Sequence, residues 1–124
     1  MSQIVERFEA AVQVLVGDGP VKNRLLTAYT DYLEDLQQVD LPIAGKIDFV
    51  ELHAALHRAP PIGKIDCVKA SVQTMSPGAV GWQAQTIVRL YTEVLAMERR
   101  ARVDIELALE PADVAPEHLL ARSS

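Results

Sequence analysis

His53 and His57 are the residues best placed to do chemistry. Four positions apart on a helix, they project from one side of it, and two imidazoles at that spacing can hold a metal if a third ligand arrives from elsewhere. The stretch reads His53-Ala54-Ala55-Leu56-His57. The glutamate that follows the first histidine of a zinc-protease helix is therefore replaced by Ala54. The angular position of His53 among Phe49, Leu52 and Leu56 turns it inward. The expectation is a core or boundary histidine with a hydrogen-bond partner; His53 and His57 stay as candidate metal ligands, and no metal or cofactor is expected.

Cys67 is the only cysteine, which excludes an intrachain disulfide. Lys64 and Lys69 are near enough in sequence to lower its pKa, but no Cys-Gly loop context accompanies it, and the expected role is that of a small hydrophobe. A pocket joining His53, Cys67 and Tyr91 is the one arrangement that would make an enzyme or small-molecule binder of this chain; nothing in the spacing brings them together, and no catalytic residue is assigned. Gly17-Asp18-Gly19-Pro20-Val21-Lys22 resembles a phosphate loop superficially. It lacks a preceding strand and a Gly-Lys-Ser/Thr ending, and Pro20 removes an N–H, so it reads as a turn with Gly17 left-handed. Asp31, Glu34, Asp35 and Asp40 lack the spacing of a calcium loop. Arg99, Arg100 and Arg102 form the one dense basic cluster and are the candidate partner-binding residues.

Composition narrows the function classes. The chain has 124 residues, 49% of them hydrophobic, with 12 Lys+Arg against 17 Asp+Glu and a formal charge of −5. That sign opposes phosphate backbones and anionic lipid, so neither nucleic acid nor membrane is an expected partner. Glu6 and Glu9 interrupt the first apolar residues, so no signal-peptide core is expected, and no run is long enough to span a bilayer. A cytoplasmic location is the expectation.

The apolar spacing that must position these residues is helical nearly throughout. Ile4, Phe8, Ala11, Val12 and Leu15 form a first stripe. Val21, Leu25, Ala28, Tyr29, Tyr32 and Leu36 form a second, with Pro20 suited to its first turn. Phe49, Val50, Leu52 and Leu56 define the buried face of a third segment, which stops before Ala59-Pro60-Pro61. Ile65, Val68, Val72 and Met75 mark a short fourth segment from about Lys64 to Thr74. Ser76-Pro77 opens a fifth, whose face is Trp82, Ile87, Leu90, Tyr91, Val94 and Leu95; Tyr29, Tyr32, Trp82 and Tyr91 are read as core. From Val103 to Leu109 the apolar residues alternate, a pattern that fits a strand, but a lone strand has no partner here and a continued helix is preferred. Gly45-Lys46-Ile47-Asp48 recurs as Gly63-Lys64-Ile65-Asp66, read as shared helix-entry chemistry rather than a repeat.

The expected architecture is all-α, one domain, a bundle of four or five helices over residues 1–110 with a poorly ordered or extended tail over 111–124. The expected function is non-enzymatic: an adaptor or accessory protein that binds another protein, or a second copy of itself as a dimer, through a helical face. The alternatives are a helix-turn-helix regulator of DNA on the third and fourth segments and a small-molecule or metal-binding helical protein. The Ala59-Pro60-Pro61-Ile62-Gly63 connection is too long and stiff for the DNA-binding motif.

Overall fold

The computed structural model describes residues 3–109, and among them the protein is all-α. Five α-helices follow in order: α1 (Gln3–Leu15), α2 (Val21–Tyr32), α3 (Ile43–Leu56), α4 (Cys67–Thr74) and α5 (Pro77–Leu109); a 3-10 turn, Gln38–Asp40, precedes α3. The stretch Val103–Leu109 is helix, continuous with α5. The expected tail, 111–124, lies outside the described residues.

The boundaries follow the chemistry of the chain. Pro42 ends the extended entry to α3, whose first helical residue is Ile43. The Asp66 carboxylate accepts from the Lys69 N–H at 2.9 Å and caps α4, which therefore starts at Cys67, three residues after Lys64. Ser76 accepts from the Ala79 N–H at 3.1 Å and caps α5, with Pro77 as its first residue. Between α1 and α2 the positive φ falls on Gly19 (99°) and not on Gly17. The end of α1 is closed instead by Arg24, which donates to the carbonyls of Leu15 and Gly19.

The core joins all five helices. Val5, Phe8, Leu25, Tyr29, Leu33, Leu52, Leu56, Val68, Val72, Val80, Ile87 and Leu90 are all but fully buried. α1 packs on α2 and α5, and α3 packs on α4 and α5. α3 runs antiparallel to α5. Its Gly45 lies against Leu90 and Glu93, Asp48 pairs with Arg89 at 3.7 Å, and Ala55 shares a cleft with Ala79 and Gln83. Glycine at position 45 permits this approach, since a Cβ there would stand 3.2 Å from Leu90 Cδ2.

Two faces differ from the expectation. Val50 is 43% exposed and Trp82 56% exposed. The Trp82 ring is covered instead by the Arg89 guanidinium, 5.2 Å from the ring centroid, while Arg89 also donates to the Thr86 hydroxyl at 3.1 Å. Arg89 thus works as a clamp between α5 and α3.

Candidate functional site

The C-terminal ends of α2 and α3, with the residues just beyond them, bring four polar groups together. Tyr29 is buried in the core, and its hydroxyl lies 3.0 Å from His53 Nδ1. The rings of His53 and His57 stack, centroids 4.1 Å apart, and the Tyr29 ring meets His57 edge-on at 5.9 Å. His57 Nδ1 lies 2.8 Å from the His53 carbonyl oxygen, and its Nε2 lies 3.6 Å from Glu34 Oε2.

The hydrogen positions follow from the partners. A carbonyl only accepts, so His57 donates from Nδ1. Burial, then the Glu34 and Cys67 charges, raise the Tyr29 pKa far above the ordinary phenol value. Tyr29 therefore keeps its proton and donates it to His53 Nδ1, which leaves the His53 N–H on Nε2. Desolvation, then the charge of His57, hold the His53 pKa below the ordinary histidine value, with Glu34 pulling it back up. The neutral form of His53 is thus favoured by the same surroundings that let it accept from Tyr29.

With the folded-state pKa of His53 below its unfolded value, the unfolded chain binds the extra proton between the two. The stability His53 contributes is complete above about pH 6.5, the unfolded value, and is lost as pH falls from there through the folded pKa. In an NMR titration His53 should titrate below the free-histidine range. His57→Gln should move it up and Glu34→Gln down; a His53 that titrates within that range would contradict the arrangement.

His53 was expected to point inward. It is exposed, and only its Nδ1 edge reaches the core group. A cleft of about 280 Å³ opens beside it between Glu34, Gln38, Phe49 and Val50. Cys67 is partly buried and bears on Tyr29 electrostatically, whereas Tyr91 enters none of these hydrogen bonds or ring contacts among the described residues. Also among the described residues, no three His, Cys, Asp or Glu side chains group to hold a metal ion, and no helix is long and apolar enough to cross a membrane. The acidic residues are partly spent: Asp35 takes the Arg7 guanidinium, whose hydrogen bond lowers the Asp35 pKa.

The feature that sequence reasoning missed is the outward face of α3, which adjoins this cleft at Val50. Ile43 is 85% exposed and Ile47 71%, and they continue into Val50. At 3.6 residues per turn, positions 43, 47, 50 and 54 form one stripe, opposite the buried Gly45, Phe49, Leu52 and Leu56. Val39 adds an exposed side chain from the preceding 3-10 turn. The signal was present as a helix apolar on two faces, but periodicity assigns only one face to a core. Arg99, Arg100 and Arg102 lie on the exposed end of α5, away from this stripe in sequence and element; Arg102 pairs locally with Glu98 at 3.7 Å.

Set against protein-family models, curated proteins and solved structures, the chain matches none of them.

Proposed function

We propose that this chain is a non-enzymatic interaction protein, an adaptor or accessory subunit, whose docking surface is the outer face of α3. The observation that carries the reading is the stripe of Ile43, Ile47 and Val50, exposed on a helix whose opposite face already packs in the core. Contiguous apolar surface of this kind is associated with binding sites. The partner that fits is an amphipathic helix laid along the stripe by its own apolar residues. Lys46 flanks one side and Glu51 the other, so the partner helix carries an acidic residue on one flank and a basic one on the second.

A photo-crosslinking residue replacing Ile47 tests this, with Lys69 as the control position. The crosslinked segment is identified, synthesised and titrated against the protein. The expected segment is helical with an apolar stripe, and its affinity falls at least about tenfold for Ile47→Asp, while the melting temperature stays put because the residue is solvated already. No crosslink, a segment without such a stripe, or an affinity indifferent to Ile47→Asp would overturn the reading.

A further inference from the structure

α5 is much longer than the bundle it belongs to. Its 33 residues extend about 50 Å, where the next longest helix, at 14 residues, reaches about 21 Å. Every residue from Arg99 to Ala108 is exposed. Val103 and Leu107, 51% and 64% exposed, lie on the side of α5 opposite the buried Ile87, Leu90 and Val94. A second helix laid on that side runs clear of the bundle.

The charges of this end are ordered. Arg99, Arg100 and Arg102 precede Val103; Asp104 and Glu106 follow it. About Val103, Arg99 and Glu106 share one flank, and Arg100 and Asp104 share the other. Among the described residues none of these four is in an ion pair. A parallel helix pair would set arginine beside arginine. An antiparallel pair with a two-fold axis at Val103 sets each flank against the same flank of its partner in reverse order. Arg99 then comes within one residue, about 1.5 Å along the axis, of the level of the second copy's Glu106. Arg100 comes within two residues of the level of the second copy's Asp104.

We infer that the projecting end of α5 pairs antiparallel with the same segment of a second copy of this chain, about a two-fold axis at Val103. Val103 and Leu107 supply the apolar contact. The four symmetry-related ion pairs fix direction and register more than strength, since exposed pairs are individually weak. The inference concerns a different surface from the outer face of α3 and stands without it.

Sedimentation equilibrium of the full chain over a wide concentration range tests it. A reversible monomer–dimer equilibrium is expected. R99E/R100E and D104R/E106R should each weaken self-association at least about tenfold, and mixing the two variants should restore a one-to-one heterodimer. In a Cys67→Ser background, Val103→Cys should oxidise to a disulfide-linked dimer, as a residue on the axis meets its own copy. Ile47→Asp should leave the dimer unchanged, which separates this result from the α3 reading. A chain that stays monomeric throughout, charge variants that associate as the parent does, or a mixture that fails to pair would overturn the inference.

Discussion

Tyr29→Ala is expected to destabilise the protein by about 3–5 kcal/mol, the range for removing a buried aromatic side chain. Tyr29 is among the largest fully buried side chains, sitting where α2 meets α3 and α4. Total stabilities of domains this size are about 5–15 kcal/mol, so the loss is a large fraction of the whole. Tyr29→Phe separates packing from the hydrogen bond. It keeps the ring and deletes only the hydroxyl that donates to His53 Nδ1, a loss of about 1 kcal/mol. Urea unfolding of both variants checks this; equal losses would mean that the hydroxyl, not the ring, is what α2 contributes there.

Gly45→Val is expected to cost about 1–3 kcal/mol from overpacking between α3 and α5. Two effects oppose each other at this position. Removing glycine from a helix gains up to about 1 kcal/mol. Against this, even a single Cβ would meet Glu93 Oε2 at 2.9 Å and Leu90 Cδ2 at 3.2 Å. The Glu93 carboxylate can swing away, but Leu90 is fully buried and must push on its neighbours. Alanine therefore comes out near neutral and valine loses. Gly81, also helical, has nothing within 4 Å of its would-be Cβ, and Gly81→Ala should raise stability by up to about 1 kcal/mol. Thermal or urea unfolding of the three variants gives the order; a stabilising Gly45→Val would mean α3 does not approach α5 so closely.

The helices were legible because their signals are local. Prolines and caps at 20, 42 and 76–77 mark the entries to α2, α3 and α5, and the stripes of α1 and α2 face where their spacing says, except for Val21, which is exposed at the start of α2. The polar cluster was half legible. Position 53 plus four gives 57 on any helix, but the groups that meet the two imidazoles, Tyr29 on α2 and Glu34 in the turn that follows it, lie elsewhere in the chain, and no spacing within α3 points to them. The clamp by Arg89 was hidden for the same reason: its partners are Trp82 and Thr86 on its own helix but Asp48 on another.

The repeated tetrapeptide draws the line between the two levels. Gly45-Lys46-Ile47-Asp48 lies within α3, with Gly45 buried against α5 and Ile47 in water. Gly63-Lys64-Ile65-Asp66 is a turn, closed by the Ile62–Ile65 bridge with Gly63 at φ 59° and Asp66 capping the next helix. Residue order along the chain determined that this polypeptide coils into helices and where most of them stop, since turns, caps and helical hydrogen bonds join residues a few positions apart. Only the packing of one helix on another decided which of α3's two apolar sides is covered, because contact across the bundle depends on what the distant chain presents there, and a helix that is greasy on both sides carries no preference of its own.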